Sequence, residues 1–148
     1  MASADEIVAR AKADGPQGLA DLKIKEIFEK GLGDKKNAAT RENTCKILTA
    51  LCEESASHQV EPFLFDGLYE TFVETMGDKE KEVRVAAKAA LIAYSQVMSS
   101  WAVPQVLKIL LHQMQTAGKW QVKTGAIAVL EKLVVSSPDR IAASMPDI

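Results

Sequence analysis

Cysteine is scarce in this sequence: Cys45 and Cys52 are the only two in 148 residues. Seven positions apart on a helix, their Cα atoms would lie about 10 Å from each other, beyond disulfide reach. They read as small core residues of a reduced, cytosolic protein. Aromatics make up only 5% of the chain, so a core must be built mostly from aliphatic and small side chains. Neither sign of charge dominates. A net charge of −2 and a pI near 5.7 give no bulk attraction to nucleic acid, and any polyanion contact must come from a local patch. Apolar runs such as "AALIAY" fall far short of the roughly 20 residues of a membrane span. The opening "MASADEIVARAKADG" places Asp5 and Glu6 where a secretory leader would carry basic residues, so it does not read as a signal peptide.

Chemistry-bearing constellations are equally sparse. The two histidines, His58 and His112, have no Cys, His or carboxylate at ligand spacing, which argues against a zinc site. The one Gly-Lys pair, Gly118-Lys119, runs into Trp120 rather than Ser or Thr and lacks the earlier glycine of a phosphate loop. No nucleophile elbow or dinucleotide fingerprint occurs. Pairs such as Glu53 with Glu54 and Glu80 with Glu82 read as solvated faces and helix-start charges. The expectation is a chain that is not an enzyme, with no metal and no cofactor.

What the sequence has in quantity is Ala, Leu, Val, Lys and Glu in helical rhythm, and one phrase written twice: "LGDKKNAATR" at 32–41 and "MGDKEKEVRV" at 76–85. Pro62, Pro104 and Pro146 recur every 42 residues. Three comparable helices, "TRENTCKILTAL", "VRVAAKAALIAY" and "VKTGAIAVLEKL", align Arg41, Arg84 and Lys123. A period near 42 made of two helices lies in the HEAT/armadillo range. The predicted fold is all-α, a right-handed HEAT-type α-α superhelix of about three helix pairs. An extension at 1–18 carries a short helix near 4–13. The repeats fill 19–148 as pairs at about 19–54, 60–99 and 103–136, with a fourth beginning at 138–148. The array reads as a piece of a longer protein. Pro62 and Pro104 are expected in first turns of helices, and Gly77 and Gly118 at left-handed helix ends. The face of the third pair, with Leu130, Leu133, Val134 and Ile141, is expected to lack cover.

The recurring turns gather basic residues along one edge. Under one reading Asp34 and Asp78 pair with neighbouring cations, above all Arg41, Arg84 and Lys123, and knit the repeats together. Under the other, Lys35, Lys36, Lys79, Lys81 and Lys119 project from the turns to meet RNA phosphates or an acidic partner. Trp120 is expected to pack beneath its turn, and Trp101 to wedge between repeats.

"GDKKNAA", "VEPFLF", "GDKEKEVR", "KWQVKTGAIAVLEKL" and "SPDRIAASMPDI" together resemble the N-terminal HEAT region of translation elongation factor three, the fungal-type ABC-class ATPase of the ribosome. The resemblance covers about 19–148. The third repeat is also similar to the HEAT array of the Gcn-type translational regulator. What the resemblance implies is a cytoplasmic, ribosome-docking module of a factor whose ATP hydrolysis promotes release of tRNA from the exit site. Its partners would be the small ribosomal subunit, through rRNA or ribosomal proteins, and further HEAT repeats and ATPase domains of the same polypeptide, with no membrane. The alternative is a general HEAT scaffold for protein–protein interaction, as in a regulator or transport adaptor.

Overall fold

The structure, a computed structural model, describes residues 4–54, 56–136 and 139. Those residues form eight α-helices and no strand: α1 (Ala4–Asp21), α2 (Ile24–Leu32), α3 (Ala38–Glu53), α4 (Ser57–Leu64), α5 (Leu68–Thr75), α6 (Lys81–Ser95), α7 (Val103–Thr116) and α8 (Trp120–Ser136). A single 3-10 turn at Ser100–Ala102 precedes α7. Two layers result. In the trailing layer α3 packs on α6 and α6 on α8; in the leading layer α2 packs on α5 and α5 on α7, and each leading helix packs on the trailing helix of its own unit. This is an all-α HEAT-type solenoid. The proposed fourth pair at 138–148, with Ile141, lies outside the described residues save Asp139.

Small residues set the closest packing. Ala86, Ala87 and Ala90 on α6 are buried and let its axis approach α3, which presents Cys45, Leu48 and Cys52. Burial pushes both thiols up to about 12, so they are inert packing groups, as their spacing implied. Leu68 and Phe72 on α5, with Met76 just past its end, and Val122, Ala126, Val129 and Leu133 on α8 form buried stripes at helical spacing. Leu133 is thus covered; the exposed apolar residues of α8 are Trp120, Ile127, Val134 and Val135. Aromatic contacts stitch successive units, with Phe28 edge-on to Phe72 at 5.5 Å and Phe65 edge-on to the half-exposed Trp101 at 5.6 Å.

The leading layer departs from its predicted form. The first helical stretch of α1 ends at a non-helical Gly15, close to the expected 4–13, but a second stretch continues to Asp21; Ile7, Val8 and Ala11 are buried against α3 and α4, so the segment from Ala4 onward is more than an appendage. Gly15, at φ 65°, kinks it just before Pro16. Pro62 is not in a first turn either. It sits six residues into α4, where its missing N–H removes one i→i−4 bond and its ring crowds the preceding turn; α4 ends two residues later. Pro104 does occupy the first turn of α7. Short helices α2 and α5 each start after a left-handed residue, Lys23 (φ 57°) and Gly67 (φ 93°) at equivalent places in the first two units, whereas α7 is unbroken.

Gly77 and Gly118 are not left-handed, contrary to expectation. At Gly77 the reason for glycine is space: a Cβ there would stand 2.6 Å from Val122 Cγ2 and 3.0 Å from Lys119 Cδ. The missing side chain lets the start of α8 rest on the preceding turn.

Candidate functional site: the ladder of interhelical turns

The turns at 33–37, 76–80 and 117–119 join leading to trailing helices along one edge of the solenoid. In the first two an aspartate folds the turn by accepting a backbone N–H two residues on. Asp34 Oδ1 accepts from Lys36 N at 3.3 Å, and Asp78 Oδ1 from Glu80 N at 2.9 Å. Asn37 then caps α3, accepting from Thr40 N at 3.2 Å. The carbonyl of each aspartate receives the arginine of its own trailing helix: Arg41 Nη1 reaches Asp34 O at 2.7 Å, and Arg84 Nη1 reaches Asp78 O at 2.8 Å.

One rung crosses between units. Arg41 is 4% exposed and forks onto the next unit's Asp78, Nε to Oδ2 at 2.8 Å and Nη2 to Oδ1 at 3.1 Å. Burial works against the Asp78 charge, but the bonds from Arg41 and Glu80 outweigh it and hold the carboxyl below its ordinary range. The second crossing is of another kind. Lys119 Nζ donates to Gly77 O at 2.9 Å, a cation reaching back rather than an arginine reaching forward.

The expected knitting residues therefore divide. Arg41 and Asp78 bridge units; Asp34 and Arg84 bond only within their own unit among the described residues; Lys123 is exposed and pairs with no described carboxylate. Trp120 is 70% exposed instead of packed. It stands two positions before Val122, the first member of the buried stripe of α8, and about 100° per residue turns it to the far side of the helix.

Among the turn lysines, Lys35, Lys36, Lys79 and Lys81 are exposed and make no ion pair with a described residue. A cleft of about 370 Å³ between successive turns is lined by Lys35, Lys79 and Lys119 together with Glu74 and Asp78. Lys36 does not line it, and Lys81 lines the neighbouring groove between α3 and α6. Lys119 carries the structural bond already given, so it is not a free cation like the other four.

Sequence reasoning missed Glu61. This carboxylate is 2% exposed and accepts from Ser99 N (2.8 Å), Ser99 Oγ (2.5 Å) and Tyr94 Oη (2.6 Å), tying α4 to the end of α6 and the connection that follows. Burial opposes its charge, yet the bonds from Ser99 and Tyr94 prevail and keep the carboxyl below its usual range. The available signal was a charge three residues before Leu64 and seven before Leu68, at an otherwise apolar stripe position. Among the described residues no cluster of three His, Cys, Asp or Glu could hold a metal, and no helix is long and apolar enough to cross a membrane.

The sequence is similar to known proteins along its whole length. Elongation factor 3 of Mycosarcoma maydis is 52% identical over 146 residues, covering 99% of this chain and 14% of that protein. Elongation factor 3 of Gonapodya prolifera is 29% identical over 148 residues, covering 100% and 14%. Elongation factor 3B of Saccharomyces cerevisiae is 29% identical over 122 residues, covering 82% and 11%. The chain thus spans between about a ninth and a seventh of the length of these relatives. No solved structure matches it. The model of the EF3 N-terminal HEAT repeat matches residues 1–148, which leaves no part of this chain for an ATPase domain, and the chain belongs to that family.

Proposed function

We propose that this chain is the ribosome-docking part of a cytoplasmic elongation-factor ATPase, the whole protein promoting release of tRNA from the exit site. The family match makes it a translation-elongation-factor module. The observation that supports docking is the set of four unpaired lysines in or next to the first two turns, Lys35, Lys36, Lys79 and Lys81, in a chain whose overall charge is negative. Arg41 holds the two turns in register, so these cations are presented at fixed positions to rRNA phosphates of the small subunit. No cofactor takes part. Lys123, with the exposed Ile127 and Val134 beyond it, receives a further HEAT unit of the same polypeptide. They stand where Arg41, Cys45 and Cys52 stand in the first unit, which α6 covers.

Cosedimentation with ribosomes over a salt series tests this. Replacing Lys35, Lys36, Lys79 and Lys81 with Glu should weaken binding at least tenfold. It should also flatten the logarithmic salt dependence by roughly one for each phosphate that is no longer neutralised. An unchanged slope would make the turns merely solvated and leave the protein-scaffold reading in their place.

A further inference from the structure

Arg41 and Arg84 are the same residue of successive units, and each spends the same atom, Nη1, on the carbonyls of its own turn. Arg41 gives its remaining edge, Nε and Nη2, to the carboxylate of Asp78 in the next turn. The corresponding edge of Arg84 has no hydrogen-bond partner among the described residues: the next turn, Ala117-Gly118-Lys119, holds no carboxylate, and Arg84 makes no ion pair with a described residue. Beside it, between α6 and α8, lies a groove of about 170 Å³ lined by Met76, Arg84, Val85, Lys88, Trp120 and Thr124. Its walls are apolar and open: Val85 is 57% and Trp120 70% exposed. Its charged lining residues, Arg84 and Lys88, are both cationic.

We propose that this groove is a docking site for an acidic protein segment in which an Asp or Glu side chain is followed closely by a large apolar one. The carboxylate completes the vacant rung on Arg84 as Asp78 completes it on Arg41, a forked, planar match that guanidinium makes best with carboxylate. The apolar residue covers Trp120 and Val85, with Lys88 adding charge complementarity. A strand of RNA suits the site less well. Successive phosphates would find only Lys88 after Arg84, and the aliphatic wall of Met76 and Val85 offers no second stacking surface. The proposal does not depend on the ribosome reading, since none of the four turn lysines lines this groove.

Selection of a displayed library of random 12-residue peptides against the 148-residue chain tests it, the selected peptides then being synthesised and titrated by fluorescence anisotropy. Acidic–apolar sequences should be enriched. Arg84→Gln and Trp120→Ala should each weaken binding about tenfold or more, as should changing the peptide's Asp or Glu to its amide. The four-lysine variant should bind as the parent does. Trp120 is exposed, so Trp120→Ala keeps its fold and remains informative if Arg84→Gln unfolds. Enrichment of peptides without a carboxylate, or affinities indifferent to Trp120→Ala, would overturn the proposal. So would displacement of the peptide by a uridine oligonucleotide whose own binding needs Arg84 and Trp120.

Discussion

Asp34 and Asp78 occupy the same place in the same three-residue phrase, yet replacing each with asparagine should have very different consequences. Asp78 accepts three N–H bonds, two from Arg41 and one from Glu80 N. Its side chain and that of Arg41 are only 12% and 5% exposed. Asparagine keeps one carbonyl oxygen and no charge. At least one charge-assisted bond is lost, and Arg41 stays buried without a counter-ion. Breaking a buried pair from one side costs about 3–5 kcal/mol. The surviving oxygen and the Asp34 carbonyl still bonded to Arg41 put the expected loss near the lower end, about 3 kcal/mol. The Asp34 side chain accepts a single 3.3 Å bond from Lys36 N at an exposed turn, so Asp34→Asn should cost under about 1 kcal/mol. Urea unfolding followed by circular dichroism measures both, and an unchanged m-value certifies that the unfolded reference has not moved. Equal losses for the two variants, or less than about 1 kcal/mol for Asp78→Asn, would refute the reasoning that the buried rung stabilises the stack.

Two further outcomes follow from buried polar groups. The Tyr94 hydroxyl donates to Glu61 at 2.6 Å, whereas the buried Tyr69 hydroxyl has no hydrogen-bond partner among the described residues. Tyr94→Phe should lower stability by about 2 kcal/mol and Tyr69→Phe should raise it by about 1 kcal/mol; thermal melts shifting in the same direction would contradict this. Glu61 and Asp78 both titrate below their ordinary values of 4.5 and 3.8. Their contributions are therefore fully present above about pH 5 and disappear as the pH falls through the lower folded values. Urea midpoints should be level between pH 7 and 5 and drop below about pH 4; a flat profile down to pH 3 would count against both networks.

The trailing layer was legible in the sequence because one helix fills each unit without interruption, and a 3.6-residue stripe is the strongest signal a sequence carries. Arg41 and Asp78 were legible for a related reason, since a charge repeated at a fixed place in a repeat has a repeated geometric task. The broken leading helices were not. A left-handed joint at Gly67 has a glycine to announce it, but its equivalent is Lys23, whose side chain gives no hint of positive φ. Trp120 misled because a large aromatic beside a turn usually packs; only the register of α8, fixed by Val122, Ala126 and Val129, turns it outward. Arg84 misled by symmetry, since its alignment with Arg41 describes the donor and not the absent acceptor in the following turn.

The joints at Lys23 and Gly67 give the array unequal stiffness on its two sides. α3, α6 and α8 are unbroken rods, and bending any of them means stretching a run of i→i−4 hydrogen bonds. On the opposite side the first two units are articulated: α2 and α5 meet the helices before them at left-handed residues, where a change of angle needs rotation about a few backbone bonds. A load that curves the solenoid is then absorbed by the jointed side, while the rodded side, with the Arg84–Trp120 groove, keeps its spacing. The third unit, with α7 continuous, has no such joint. The backbone thus offers the first two units a place to bend on one side that the third unit lacks.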